Sequence, residues 1–330
     1  MNESTHISDA LNVRIQHAIY NQVLDELTKC IEMAGSFEGT IVPLLGPTRI
    51  GKTDLIKDAS ERLGKLEPGP GVLTSSWSYG FGSIPPKPSD RELYASMLRA
   101  IGYDCGPREK TSQVRDRLLT AIRDEGVKVI AMDECNHCAE TGANLSPRGA
   151  TDHFKAVVDA TGVTLILSGL PKFQKLIDEN EQFRDRSTST ILFRPYSWSE
   201  QQDRDGFAAA VLGAFQLLQE TGARIGFEDL DMVRRLYGIS GGRIGLVMRV
   251  LKAACVNLEN DQLTFSIILK AARSITQEQL RASEFLDPNH PPTDVALTRA
   301  YVSVLGDAGM AVKPKSIDEF AAARFPEVTA

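Results

Sequence analysis

The sequence predicts an α/β domain built on a five-stranded parallel sheet, followed by a smaller helical domain. Short apolar runs alternate with stretches of helical periodicity as far as Pro195, the pattern of parallel strands joined by crossover helices. A glycine-rich segment separates the first apolar run from the helical stretch after it. Beyond Pro195 only helical periodicity remains, which indicates a second domain of helices.

The glycine-rich segment fits G-x-x-x-x-G-K-[ST], a phosphate-binding loop. Its residues are Gly46, Pro47, Thr48, Arg49, Ile50, Gly51, Lys52 and Thr53. In such a loop the backbone N–H groups surround the phosphates, while Lys52 reaches the β- and γ-phosphates and Thr53 binds Mg²⁺. An apolar run (40–45) precedes the loop and a helical stretch (53–63) follows it, so a helix N-terminus adds partial positive charge. We therefore predict an ATP and Mg²⁺ site.

The remaining elements follow from periodicity. Further strands are predicted at residues 72–77, 127–132, 163–168 and 189–193, with 78–90 irregular. Helices are predicted at 15–31, 90–101, 112–125, 152–161, 171–181, 200–220, 227–237, 243–258 and from 264. Pro43 is unusual within the first strand, because proline removes a ladder hydrogen bond.

An acidic pair ends the predicted strand at 127–132. Asp133 and Glu134 follow this apolar run directly. Carboxylates at the end of a buried strand carry a desolvation cost, which a bound metal and nucleotide offset. We predict that Asp133 holds Mg²⁺ through its water shell and that Glu134 polarises the attacking water.

Three further side chains are candidates for catalysis. Ser168 ends the fourth predicted strand, where a polar residue can orient the attacking water. Arg184 and Arg186 precede the fifth strand, from which one subunit can offer an arginine to its neighbour's γ-phosphate, and Arg186 is the preferred candidate. The alternative for these arginines is a surface ion pair with Asp185.

Arg243 follows two glycines at the start of a predicted helix in the helical domain. From such a position an arginine can reach back to the phosphates. We therefore assign Arg243 to the nucleotide site.

Net charge, apolar content and cysteine usage limit the classes of function expected for this chain. A net charge of −6 means that any nucleic-acid binding depends on a local basic surface. No apolar run is long enough to span a bilayer, and residues 1–6 do not begin a signal peptide, so a cytoplasmic protein is expected. Five cysteines without framework spacing fit a reducing compartment. Cys135 and Cys138 lack the second ligand pair that a structural zinc site needs.

These boundaries predict four segments. Residues 1–38 form a helical lead-in, 39–196 the nucleotide-binding α/β domain, 197–282 a helical lid, and 283–330 a proline-containing tail with apolar anchors that can dock on the protein itself or on a partner.

Taken together, these motifs resemble those of an AAA+ ATPase. Within that superfamily, the strings at 88–94 (PSDRELY), 132–137 (MDECNH) and 167–171 (LSGLP) resemble the TniB/TnsC family of transposon-encoded ATPases. The resemblance covers about residues 10–280, and the short chain is similar to the compact TnsC proteins of CRISPR-associated transposons. Ser168 departs from the Asn or Thr more usual at that position in AAA+ proteins.

The resemblance implies an ATPase that regulates transposition. Such proteins assemble as rings or filaments around duplex DNA and link a TniQ/TnsD-like target-selection factor to a transposase. Each nucleotide site then lies between two copies. One copy supplies Lys52, Thr53, Asp133, Glu134 and Arg243, and the next supplies Arg184 or Arg186.

DNA contacts are expected from basic loop residues. The candidates are Arg108, Lys110 and Arg148, which would contact phosphates without reading sequence. Solvated helix and loop surfaces remain an alternative for such charges. Two other functions also remain open: a generic AAA+ loader or remodeller, such as a helicase loader, and a scaffold that binds ATP with little turnover.

Overall fold

A computed structural model describes residues 11, 15–34, 39–64, 78–140, 144–258, 260–276 and 279–310. The chain divides into two compact units. The sheet unit contains Gln22–Gly46 and Lys52–Phe193. The helical unit contains the described residues up to Asn21, the short segment Pro47–Gly51 and the described residues from Arg194 onward. No helix within the described ranges combines the length and the apolar character that a bilayer span requires.

The predicted five-stranded parallel sheet is confirmed. Its strands are β1 (Thr40–Leu45), β2 (Ser78–Ser83), β3 (Val127–Asp133), β4 (Thr164–Gly169) and β5 (Ile191–Leu192). They lie in the order β2-β3-β4-β1-β5 and all pairs are parallel. Every residue of β4 is buried, as are nearly all of β1 and β3. Helices therefore cover both faces of these strands, which explains their continuous apolar runs.

The prediction that residues 78–90 are irregular throughout is wrong, because 78–83 form β2. The strand predicted at 72–77 lies outside the described residues. A Cβ on Gly80 would lie 2.7 Å from the Ile101 side chain, and one on Gly82 would lie 2.9 Å from that of Ala100. The glycines thus permit close packing of the neighbouring helix on an edge strand, although their composition indicates a loop.

Pro43 lies in β1, which has a neighbour on each side. On the β5 side, the Ile41 N–H donates to the Arg186 carbonyl and the Leu45 carbonyl accepts from Phe193 N–H. Alternate residues of a strand bond to the same neighbour, so the missing N–H of Pro43 also faces that side. Residues 188–190 have no regular strand structure there. The proline therefore falls where the ladder is already interrupted.

Helices surround the sheet. They are α1 (Ala18–Ala34, whose first residues belong to the helical unit), α2 (Lys52–Gly64), α3 (Asp90–Ala100), α4 (Thr111–Asp124), α5 (Pro147–Thr161), α6 (Gln174–Glu179) and α7 (Glu181–Arg184), with 3₁₀ turns at Cys135–Ala139 and Pro171–Phe173. α5 begins five residues before its predicted start, because Ser146 caps it and Pro147 occupies its first position. Arg148 is therefore helical rather than part of a loop.

The described residues of the helical unit form six further helices. They are α8 (Gln201–Glu220), α9 (Asp229–Ser240), α10 (Ile244–Cys255), α11 (Phe265–Ile275), α12 (Gln279–Phe285) and α13 (Asp294–Asp307). The expectation of helices alone is wrong, because β6 (Arg224–Ile225) and β7 (Gln262–Leu263) form a short parallel pair.

Part of the predicted tail is a packed helix. Leu297 and Val304 of α13 are buried, and Trp198 and Arg234 both donate to the Asp294 carboxylate at its first position. The second apolar segment expected in the tail, 317–325, lies outside the described residues.

Tyr196 joins three segments of the helical unit. Its hydroxyl lies 3.0 Å from His17 Nδ1 and accepts a hydrogen bond from the Ile19 N–H at 3.3 Å. Its own N–H donates to the Gly242 carbonyl at 3.0 Å, and its carbonyl accepts from the Tyr237 hydroxyl at 2.7 Å. Burial lowers the pKa of His17 to about 4. The imidazole is therefore held neutral against Tyr196 at physiological pH.

We expect His17 to make the protein acid-sensitive. The folded-state pKa lies below the value of 6.5 for an unperturbed imidazole, so the unfolded chain binds the extra proton as the pH falls from about 6.5 to about 4. Between pH 7.5 and 5 this should remove about 2 kcal/mol of stability. Urea unfolding of the wild type and of His17→Gln at both pH values measures the difference. Equal pH dependence in the two proteins would contradict this role.

Candidate nucleotide site

The segment from Gly46 to Gly51 joins β1 to α2. The Gly46 N–H donates to the Gly169 carbonyl at the end of β4, at 3.1 Å. Arg49 and Gly51 have positive φ angles of 60° and 112°. For Arg49 this left-handed conformation costs on the order of 1–3 kcal/mol, which the surrounding contacts must offset. α2 begins at Lys52, so the N–H groups of its first turn, which have no acceptor within the helix, follow the loop directly in the chain.

The Lys52 side chain folds back to the first residue of the phosphate-loop motif. Its Nζ donates to the Gly46 carbonyl at 2.8 Å. Burial lowers the pKa of the ammonium group, and the carboxylates of Asp133 and Glu134 oppose that shift. The lysine thus lies in the electrostatic field of the two acidic residues that end β3.

The Asp133 carboxylate is the centre of the site. Its Oδ2 accepts a hydrogen bond from the Thr53 hydroxyl at 2.6 Å, and its Oδ1 accepts one from the Ser168 hydroxyl at 2.8 Å. The Glu134 N–H also donates to Oδ1, at 2.9 Å. Asp133 is 6% exposed and Ser168 is fully buried. The structure thus places the Ser168 hydroxyl on the carboxylate predicted to hold Mg²⁺.

Glu134 begins a 3₁₀ turn directly after β3. It has a φ of 58°, and its carbonyl accepts a hydrogen bond from the His137 N–H at 3.0 Å. The side chain is exposed, in contrast to the buried Asp133 beside it. A strained backbone at the end of a strand is common at active sites, because the surrounding structure fixes the direction of the side chain. The carboxylate predicted to polarise the attacking water is thus exposed.

Cys135 and Cys138 both lie in this turn and are buried. Burial raises the pKa of Cys135 well above its usual range and that of Cys138 to about 12. Burial thus disfavours the thiolate form of both side chains.

The two arginines before β5 differ in their contacts. Arg186 pairs through Nε with the carboxylate of Asp159 and donates from Nη1 to the Gln182 carbonyl at 3.3 Å. Arg184 is exposed, and its Nη1 lies 3.5 Å from the Asp178 carbonyl. The sequence alternative was an ion pair with Asp185; the structure has Asp159 as the partner of Arg186 instead.

Arg243 belongs to the helical unit and precedes α10. Its Nε donates to the Ser240 carbonyl at 2.7 Å, and its Nη1 lies 3.4 Å from the Thr48 carbonyl in the segment Pro47–Gly51. Within this unit the arginine thus reaches the backbone of the phosphate-loop motif.

The three basic residues expected to contact DNA are exposed. Arg108 and Lys110 lie in the loop between α3 and α4, and Arg148 lies in the first turn of α5.

Two residues at the start of α3 contact the loop between α3 and α4 and the helix α5, respectively. Arg91 donates from Nε to the Glu109 carbonyl at 2.8 Å, which draws the loop to the start of α3. His153 of α5 lies 3.5 Å from the Asp90 carboxylate in the same turn. Arg91 and Asp90 thus link the α3–α4 loop and α5 to the N-terminus of α3.

Two features of the site carried no usable sequence signal. The Gly169 carbonyl holds the start of the phosphate loop, but a backbone acceptor has no residue-type signature. Asp159 binds Arg186 from a helix 27 residues earlier in the chain, a distance over which only the fold determines pairing.

The Ser168 hydroxyl should stabilise the protein through Asp133. Ser168→Ala removes one donor from a buried carboxylate, and we expect the free energy of unfolding to fall by about 1–3 kcal/mol. Urea denaturation measures this change, with Ser189→Ala as the control at an exposed serine. Equal unfolding midpoints for the two variants would mean that the hydroxyl contributes nothing to the carboxylate.

Known structures resemble the whole chain. Cdc6p from Pyrobaculum aerophilum matches with a TM-score of 0.59 and 14% identity, over 94% of this chain and 86% of that one. The ORC2 protein of Aeropyrum pernix, solved as ADPNP–ADP complexes, matches with 0.56 and 14%, over 88% and 86%. The ORC1 protein of the same organism, solved with DNA, matches with 0.55 and 14%, over 93% and 82%. At these identities the likeness establishes the AAA+ fold alone.

A search of curated proteins returned no match. The family described as "Bacterial TniB protein" matches residues 10–197, which is more than half of the chain. The chain therefore belongs to the bacterial TniB family, as its sequence strings predict, and has the AAA+ fold.

Proposed function

We propose that this protein is an ATP-dependent regulator of DNA transposition. It assembles on duplex DNA and links a TniQ/TnsD-like target-selection factor to a transposase, and ATP hydrolysis controls its disassembly. The observation that carries the proposal is the convergence of Thr53, Ser168 and Glu134 N–H on one buried carboxylate, Asp133, in a TniB family member.

The residues of the site fit Mg²⁺ and ATP. Asp133 and Thr53 supply the hard oxygen atoms that Mg²⁺ prefers, 2.6 Å apart. Lys52 supplies positive charge, and the N–H groups of 48–51 supply donors for the phosphates. Bound Mg²⁺ would neutralise charge on the phosphates. In this arrangement Ser168 keeps Asp133 oriented rather than holding the attacking water, and the exposed Glu134 accepts the proton of that water.

Arg184 is the better candidate for the residue offered to a neighbouring copy. Arg186 is engaged with Asp159 and with the Gln182 carbonyl, so its release would break a charge pair. Arg184 is exposed, and its Nη1 makes one long hydrogen bond of 3.5 Å to the Asp178 carbonyl. An arginine from the neighbour, paired with the γ-phosphate, would favour the assembled state until hydrolysis removes that contact.

We propose that copies of the protein assemble on duplex DNA. Arg108, Lys110 and Arg148 are exposed, and each can contact a phosphate of the DNA backbone. The Aeropyrum pernix ORC1 protein, which shares the fold, was solved with DNA. Contacts of this kind give binding that is independent of sequence and weakens steeply with salt.

ATP should be required for assembly, and hydrolysis for release. With duplex DNA and Mg·ATP, electron microscopy of the wild type should reveal rings or filaments that are missing for Lys52→Ala. Glu134→Gln should assemble, but its phosphate release should fall by about 10²-fold or more, because the proton acceptor is lost. Unassembled wild type that still binds ATP would favour a partner-dependent loader. Phosphate release that stays near zero in the wild type would favour a scaffold.

Arg184→Ala should lose the contact between copies while leaving the individual site intact. We expect ATP binding by the separate subunits to stay within about twofold and DNA-stimulated hydrolysis to fall by about 10³-fold. Arg186→Ala is the matched control; it should lower the thermal unfolding midpoint while retaining more activity. The reverse ranking of the two hydrolysis rates would identify Arg186 as the residue that acts on the neighbour.

A further inference from the structure

The tip of the phosphate loop packs against a glycine of the helical unit. Pro47–Gly51 belongs to this unit, and its Arg49 carbonyl lies against Gly245 in the first turn of α10. A Cβ on Gly245 would lie 2.5 Å from the Arg49 oxygen and 3.3 Å from the Ile50 carbonyl carbon. Real Cβ atoms essentially never approach within 3.0 Å, and a backbone oxygen cannot rotate away. Only glycine fits beside this conformation of the loop.

The Arg49 side chain makes a second attachment. Its Nη1 donates to the carbonyl of Ile275, the last residue of α11, at 3.4 Å. The carbonyl groups at the end of a helix lack partners within the helix and carry partial negative charge, so a guanidinium group stabilises them. Arg49 thus attaches the loop to α11 by its side chain and to α10 by its backbone.

Both attachments meet at a strained residue. Arg49 has a φ of 60°, a conformation that the surroundings must maintain. Glycine within a helix costs about 0.5–1 kcal/mol relative to alanine, so α10 alone would be more stable with alanine at 245. The close approach of the Arg49 carbonyl accounts for glycine at this position.

We propose that Gly245 and Arg49 are positioning residues that set the shape of the phosphate loop. The N–H groups of the loop are those that the proposed function assigns to the phosphates of ATP, and the inference rests on that function. Because Lys52 follows Gly51 directly, displacement of the loop by α10 also displaces the lysine. The helical unit therefore sets nucleotide affinity through α10 and α11, in addition to any contact between Arg243 and a phosphate.

Gly245→Ala tests the backbone attachment. Alanine favours the helix, so the substitution acts through its collision with the Arg49 carbonyl. Gly213→Ala, in α8, is the matched control, because a Cβ there meets nothing within 4 Å. We expect the Kd for a fluorescent ATP analogue with Mg²⁺ to rise about tenfold or more in Gly245→Ala and to stay at the wild-type value in Gly213→Ala. Equal affinities in the two variants would overturn the proposal.

Arg49→Asn tests the side-chain attachment. Asparagine tolerates a positive φ but does not reach Ile275, so the backbone conformation is retained while the link to α11 is lost. We expect the Kd to rise about threefold to tenfold. This variant also keeps the proposal testable if Gly245→Ala fails to fold. An unchanged Kd in a folded Arg49→Asn protein would contradict the positioning role of Arg49.

Hydrogen exchange separates this proposal from the proposed function. In protein without nucleotide, amides of 48–53 should exchange faster in Gly245→Ala than in Gly213→Ala, because the loop loses its packed position. Unchanged exchange would overturn the positioning role whatever the affinities. Wild-type protein that binds no ATP analogue would overturn the proposed function, while faster exchange in the variant would still support the attachment of the loop.

Discussion

The sheet unit depends on the hydrogen bonds that the buried Asp133 carboxylate accepts. A buried carboxylate is costly unless donors surround it, and here three donors from α2, β4 and the end of β3 converge on its two oxygens. Their convergence fixes the register of β3 beside β4 and the start of α2 relative to both. It also leaves the next residue, Glu134, exposed on a strained backbone. One carboxylate thus orders the elements that a nucleotide site needs.

Two acidic residues lie side by side in the chain, two arginines lie close together in it, and within each pair the two side chains differ in their contacts. Asp133 is buried and accepts three hydrogen bonds, whereas Glu134 is exposed, so the two carboxylates have different surroundings. Arg186 is tied to Asp159, whereas the exposed Arg184 makes a long contact with a carbonyl. In both pairs the sequence supplies two similar groups, and the local hydrogen bonds give them different chemistry.

Glycine serves two different structural roles in this chain. In the phosphate loop, Gly51 permits a positive φ, and the motif predicts that role from spacing alone. Gly80, Gly82 and Gly245 instead make room for an atom from another element. Those contacts join residues far apart in the chain, so composition indicated an irregular loop at 78–83 and gave no signal at 245.

The sequence by itself determined the parallel sheet, the phosphate-loop motif, the acidic pair after β3 and the TniB family. These are local patterns, because apolar periodicity and motif spacing are contained within a few turns of chain. Only the tertiary structure decided that Ser168 binds Asp133, that Arg186 is held by Asp159, and that the loop tip packs on Gly245. These contacts depend on which distant atoms the fold brings within hydrogen-bond or van der Waals distance, and residue types along the chain do not encode that distance.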